Sequence, residues 1–225
     1  MVESLYQPAE RRPIAVRRWP IWHRAANWLV RKGISPNGIS LGGMACGIAA
    51  GSALAATAHA AGWERIAWLA GAALIQLRLI ANLLDGMVAI EFGRASPLGE
   101  LFNEVPDRVS DTAILIGAGY AVGGDPAFGY LGACAALFTA YVRVAGKAAG
   151  AAQEYCGPMA KQHRMALLTI LAVYCGLTPA DWQPTWDAAP GHGPMAAVLA
   201  AIILGCLLTA FRRLSRIALH LRSQP

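Results

Sequence analysis

Residues 80–117 read IANLLDGMVAIEFGRASPLGELFNEVPDRVSDTAILIG, and this stretch decides the fold. It is apolar overall, yet its polar groups recur at helical spacing. Arg78, just upstream, with Asn82, Asp85 and Ala89 falls at i, i+4, i+7 and i+11, one face of a helix. Glu100, Asn103, Asp107 and Asp111 form a second stripe of the same kind. Only residues 91–97 separate the two, so the spacing predicts antiparallel neighbours whose polar faces converge. Carboxylates and carboxamides gathered this way offer about four to six oxygen ligands, which suits a hard cation such as Mg²⁺. Gly86 and Ala89 beside Asp85, and Gly99 on the second helix, leave room for close approach to the backbone. A network of interhelical hydrogen bonds is the alternative use of such residues. Charges inside a membrane are costly to keep, and seven polar residues on two stripes favour function.

The rest of the chain places these helices in a membrane. Of 225 residues 56% are hydrophobic and 14% charged, where a soluble domain carries about 25% charged residues. A span takes roughly 20 residues, so about six fit. A soluble enzyme, a disordered tail and a nucleic-acid-binding domain are all disfavoured. The net charge of +6 sits at the ends of apolar runs, where topology explains it, and no nucleic-acid partner is expected. Five scattered cysteines with no Cys-x-x-Cys pair make neither a zinc site nor a disulfide framework. The polar start MVESLYQPAERRP predicts no cleaved signal peptide.

Only 33–63 and 188–211 are long stretches free of Asp, Glu, Lys and Arg. Admitting charges that face a bundle interior gives six helices, at about 37–59, 65–91, 98–122, 127–150, 160–178 and 194–214. That arrangement puts 17 of the 19 Lys and Arg residues on one side, with Arg65 opposite and Arg78 within a span. The expectation is an all-α polytopic membrane protein with six transmembrane helices and both termini cytoplasmic. Residues 14–32 predict an interfacial amphipathic helix, with Trp19, Trp22 and Trp28 among Arg17, Arg18, Arg24 and Arg31. The organisation is therefore a basic arm with that helix (1–35) and a transmembrane domain (36–225). Trp63, Trp68, Trp182 and Trp186 read as belt residues at the opposite face. Counting depth along the two striped helices brings Arg78 level with Asp111. A buried ion pair is expected there, flooring the cation site and leaving Asp107 free for the metal.

The spacing resembles the signature of the CDP-alcohol phosphatidyltransferase family, D-x2-D-G-x2-A-R-x8-G-x3-D-x3-D. This chain has Asn82-x2-Asp85-Gly86-x2-Ala89-Ile90-x8-Gly99-x3-Asn103-x3-Asp107. Every spacing is kept and five of the eight residue types match. Pro36-Asn37 with Ser40, Tyr141-Val142-Arg143, and Lys161 with Arg164 look similar to family features too. The resemblance implies six transmembrane helices, usually as a homodimer. It implies divalent cations, Mg²⁺ or Mn²⁺, on Asn82, Asp85, Asn103 and Asp107, holding the pyrophosphate of a CDP-linked lipid donor. Ser40, Gly86, Ala89 and Gly99 would lie near the nucleotide, and Asp107 would be the base for the acceptor hydroxyl. The membrane would be a bacterial inner membrane, with membrane lipids around the helices and the site facing the cytoplasm.

Asn82 and Asn103 replace two aspartates of the signature, and Ile90 replaces its arginine. Each asparagine keeps an oxygen ligand but removes one negative charge. A one-metal site, a site with ligands shifted to Glu100 or Asp111, and a catalytically dead relative all follow from that. Arg143, Lys161 and Arg164 are candidates for the phosphate of a small acceptor such as glycerol 3-phosphate or another phosphorylated polyol, or they serve topology alone. The expected activity is transfer of a phosphatidyl group, from CDP-diacylglycerol by preference, to a small alcohol with release of CMP. The alternative is a degenerate relative or a cation-binding membrane protein without turnover.

Overall fold

The computed structural model describes residues 19–91, 97–184 and 191–223. They fold as α1 (Pro20–Arg31), α2 (Pro36–Ala56), α3 (Glu64–Glu91), α4 (Pro97–Gly119), α5 (Pro126–Ala148), α6 (Lys161–Leu177) and α7 (Pro194–Arg222). One 3-10 turn, Ala180–Trp182, stands between α6 and α7. Proline opens five of the seven, where its fixed φ suits a helix and its missing N–H costs nothing. Ser35 caps α2 and Asp125 caps α5, each accepting a hydrogen bond from the third helical residue. These start signals explain why the expected spans agree with α2–α7 to within a few residues at their beginnings. The last helix runs on to Arg222, past the expected end at 214.

α2, α3, α5 and α7 are long and apolar enough to cross a membrane. The protein is an all-α, multi-pass membrane protein. α4 falls outside that group because it carries the polar stripe, and α6 because it has only 17 residues.

α2 packs against both α3 and α4, α5 against α4 and α7, α6 against α3, and α1 against α3. The α2–α4 crossing is a backbone contact. A Cβ on Gly117 would lie 2.1 Å from the Gly51 carbonyl oxygen, and one on Gly51 would lie 2.2 Å from that of Ala113. Small residues allow such approach between membrane helices. The sequence suggested that α3 and α4 pack as direct neighbours. Instead few of their residues approach closely, because α2 occupies the space against both. Their stripes meet through side chains, Arg78 on Asp111 and Asn82 on Asp107, more than through close backbone approach.

Leu54, Ile75, Leu115, Leu168 and Leu199 belong to the main core. Trp68 joins them at 2% exposure, so it is a core residue and not a belt residue; Trp63 and Trp182 are exposed as expected. Trp186 lies outside the described residues. In α1, Trp19 and Trp28 face outward. Trp22 turns inward among Met87, Val88 and Leu29, so the amphipathic helix has one aromatic on its packed side. Residues 14–18 of the expected interfacial helix lie outside the described residues. Gly33, at φ +74° and with no neighbour in reach of a Cβ, turns the chain from α1 into α2.

At the other end of the bundle Asp125 holds two loops together. Its Oδ1 accepts from the Phe128 N–H, and its Oδ2 lies 2.7 Å from His192 Nε2. The Phe128 N–H and then His192 hold this carboxyl below its ordinary value. A carboxyl held low contributes stability above its unfolded value, near 3.9, which is lost as pH falls through the folded value. Asp125→Ala is expected to cost about 1 kcal/mol at neutral pH through loss of the cap. Thermal melts in detergent should show that difference shrinking below about pH 4.

Candidate active site

A cavity of about 500 Å³ opens at one end of the bundle, between α3 and α4. α3 lends Asn82, α4 Asn103 and Asp107, α5 Arg143, α6 Lys161 and Arg164, and α7 Arg213. Both polar stripes point there because their residues repeat at the helical period. Pro106 stands inside α4 immediately before Asp107, where it leaves one carbonyl of the preceding turn without its helical donor.

Asp107 is the most heavily engaged side chain. Lys161 Nζ donates to its Oδ2 and Asn82 Nδ2 to its Oδ1. Arg78 Nη2 lies 3.4 Å from Oδ1 and donates to the Asp107 carbonyl oxygen at 3.1 Å. Below it, Asp111 sits between two guanidiniums. Arg78 Nη2 reaches its Oδ1 at 2.6 Å and Arg164 Nη2 its Oδ2 at 2.8 Å. All three are buried, Arg78 completely. The expected Arg78–Asp111 pair is therefore present, but with Arg164 as a third member. The same geometry corrects the expectation that the pair leaves Asp107 free, since Lys161 and Asn82 hold both its oxygens.

Asp85 is buried at 4% exposure and accepts a 2.6 Å hydrogen bond from Ser40 Oγ. Ser40, Asp85, Gly86, Ala89 and Gly99 lie outside the cavity lining. The side chain of Glu100 lies outside what is described. Arg164 reaches the cavity but donates to Asp111 and to the Met159 carbonyl at 3.0 Å, so it is not a free phosphate ligand. Arg143 pairs with Glu104 at 2.6 Å and stands 5.7 Å from the centre of the Tyr155 ring.

Sequence reasoning gave no site role to Arg213, Glu104, Arg108 or Trp22, all of which line the cavity. Arg213 is buried and donates to the carbonyls of Thr139 and Cys156 at 2.7 and 3.0 Å. Its signal was available: Cys206, Thr209 and Arg213 share one helical face, and the first two are buried. Trp22 had none, since nothing local tells an inward aromatic from an outward one.

Among the described residues no three His, Cys, Asp or Glu side chains cluster as a metal site. What the site offers is two carboxylates, Asp85 and Asp107, with the amides of Asn82 and Asn103. That all-oxygen donor set fits Mg²⁺ or Mn²⁺ and no softer ion.

No family model matches the chain. Over 158 residues it is 28% identical to a phosphatidylinositol phosphate synthase of Streptomyces avermitilis, covering 68% of this chain and 62% of that one. Over 123 residues it is 33% identical to an archaetidylinositol phosphate synthase of Aeropyrum pernix, covering 54% and 63%. The chain thus spans somewhat less than two thirds of the length of these curated relatives. Its fold is similar to that of Mycobacterium tuberculosis phosphatidylinositol phosphate synthase. The structure of that protein with CDP-DAG bound superposes with a TM-score of 0.69 at 18% identity, covering 88% and 94% of the two chains. Its complex with manganese and citrate gives the same TM-score at 17% identity, covering 88% of each. A shared bundle and two sequence relatives of one kind agree: the chain is similar in sequence and in fold to phosphatidylinositol phosphate and archaetidylinositol phosphate synthases.

Proposed function

We propose that the protein is an enzyme that transfers a phosphatidyl group from CDP-diacylglycerol to a small phosphorylated alcohol and releases CMP. One observation carries this reading: amides, a carboxylate and basic side chains from five helices converge on one cavity at one end of a membrane bundle. Five lining cations (Arg108, Arg143, Lys161, Arg164 and Arg213) face two carboxylates, Glu104 and Asp107. Such a surplus favours an anionic acceptor over a neutral one. The mycobacterial protein's complex with CDP-DAG supports the donor.

In the reaction the acceptor oxygen forms a bond to the lipid-linked phosphorus while the bond from phosphorus to the CMP oxygen breaks. Asp107, at the cavity wall, takes the hydroxyl proton. A bound Mg²⁺ or Mn²⁺ would supply charge neutralisation on the pyrophosphate, and Asp85 with the amide oxygens of Asn82 and Asn103 are the residues that would hold it. Ser40 fixes the Asp85 carboxylate, and Gly86, Ala89 and Gly99 give the nucleotide close access to the backbone. The Arg78–Asp111–Arg164 set forms the floor. Arg143 meets the acceptor's phosphate, with Lys161 on Asp107 and Arg164 on Asp111 holding the wall behind it. The test is CMP release by purified protein over a panel of alcohols and alcohol phosphates. No release with any of them would leave the degenerate relative, a reading that the Asn82 amide on Asp107 favours.

Arg143→Gln is expected to raise the acceptor KM about 10- to 100-fold, the worth of a charged hydrogen bond. The KM for CDP-diacylglycerol should move little. Equal effects on both substrates would return Arg143 to a topological role.

We also propose that α4 and α6 cross the membrane with the other four long helices, in a bacterial inner membrane, as a homodimer. Residues 36–225 are then the catalytic domain, with α1 resting on its cytoplasmic face. Reporter fusions after Ala60, Gly124 and Pro184 should lie outside the cytoplasm, and one after Ala152 inside. A cytoplasmic signal after Pro184 would remove one of the six spans.

A further inference from the structure

Asp85 and Asp107 are the two carboxylates on the signature spacing, one behind the cavity lining and one in it, and their surroundings differ. Asp107 has a cation on it: the Lys161 ammonium donates to Oδ2, and Arg78 stands 3.4 Å from Oδ1. Asp85 is more deeply buried, and among the described residues no Lys, Arg or His lies within ion-pair distance of it. Its side-chain hydrogen bond comes from the neutral hydroxyl of Ser40. A buried carboxylate without a counter-charge is costly, and an arriving cation relieves that cost.

The position of Lys161 points the same way. It is the first residue of α6, whose first turn holds no acid and whose N-cap, Ala160, offers no side-chain hydrogen bond. A positive charge there opposes the helix dipole, so the helix itself gives Lys161 no reason to sit where it does. Asp107 provides it. Asn82 is oriented to match, with its amide N–H on Asp107 Oδ1; a metal on that oxygen would have to displace this donor.

We propose that the site takes a single divalent cation, on Asp85, and that the Lys161 ammonium is the built-in counter-charge of Asp107. The two asparagines and Lys161 then belong together: with two carboxylates removed, Asp107 is matched by the ammonium and Asp85 is the one carboxylate left open to a divalent ion. The purpose of the cation rests on the phosphatidyl-transfer reading above; its number does not.

The experiment is a Mn²⁺ titration of the full chain in detergent, with and without CDP-diacylglycerol, reading bound ion by electron paramagnetic resonance. One Mn²⁺ per chain is expected. Asp85→Asn should weaken it at least about tenfold, as loss of a ligand does, while Asp107→Asn leaves it within about threefold. Lys161→Gln should admit a second Mn²⁺ that disappears again in Lys161→Gln/Asp107→Asn. Two ions or none in the unaltered protein, an Asp107→Asn loss equal to that of Asp85→Asn, or a Lys161→Gln variant that still binds one would each overturn the proposal. Should Asp85→Asn fail to fold, Asp85→Glu keeps the charge and must alter the spectrum of the bound ion; an unaltered spectrum counts against Asp85. CMP release is followed in parallel. One Mn²⁺ without CMP release defeats the activity alone, and two with CMP release defeat this proposal alone.

Discussion

Asp111→Leu is expected to destabilise the protein more than either Arg78→Leu or Arg164→Leu. Asp111 serves two buried guanidiniums at 2.6 and 2.8 Å, so its loss leaves both without their carboxylate. Breaking a buried pair from one side costs roughly 3–5 kcal/mol, and here two pairs break together. Arg78→Leu should be milder, because Asp111 keeps Arg164. The double change Arg78→Leu/Asp111→Leu, which restores balance in a simple pair, should recover little, since Arg164 remains buried with only the Met159 carbonyl as a close oxygen partner. Recovery is expected only when Arg164 is made apolar as well, because an apolar set of similar volume can equal or exceed a buried ion network in stability. Thermal melts of the five variants in detergent decide this. A double variant that melts with the unaltered protein would show that Arg164 does not depend on Asp111.

Asp107→Ala and Asp85→Ala are each expected to abolish CMP release, for different reasons. The first removes the proposed base, and positioned bases contribute about 10²–10⁴ in rate. It also strands Lys161 in the cavity wall. The second removes the carboxylate that would carry the cation, and with it the neutralisation that phosphoryl transfer needs. Raising Mg²⁺ should therefore rescue neither. Asn82→Asp with Asn103→Asp should tighten Mg²⁺ binding, since each restores a charged oxygen ligand. Turnover that survives in Asp107→Ala would rule that residue out as an essential base.

Much of the fold was legible because the signals were local. Pro36, Pro126 and Pro194, with the caps Ser35 and Asp125, mark helix starts that need no knowledge of neighbours. The stripes on α3 and α4 are equally local, and they carried the depth count that pairs Arg78 with Asp111. What depends on the third dimension did not show. Trp68 and Trp63 stand five residues apart near the start of α3, yet one is in the core and the other exposed. The placement of α2 against both striped helices follows from glycines whose partners are distant in sequence, Gly43 against Ala81 and Gly51 against Ala113. Lys161 read as a phosphate ligand or a topology charge because its partner is on another helix. A buried cation declares its purpose only when its carboxylate is found.

The glycine contact between α2 and α4 has a consequence for how such a protein can diversify. Backbone touching backbone leaves no side chain to exchange, so the angle and spacing of that pair cannot drift by small substitutions: even an added methyl at Gly51 or Gly117 would meet a carbonyl oxygen about 2 Å away. The wall formed by α5, α6 and α7 has no such restriction along Arg143, Lys161 and Arg213, where side chains meet backbone carbonyls and one another. Inheritance can therefore vary one side of the chamber residue by residue while the other is handed down unchanged, much as a lock keeps its case while the wards are recut.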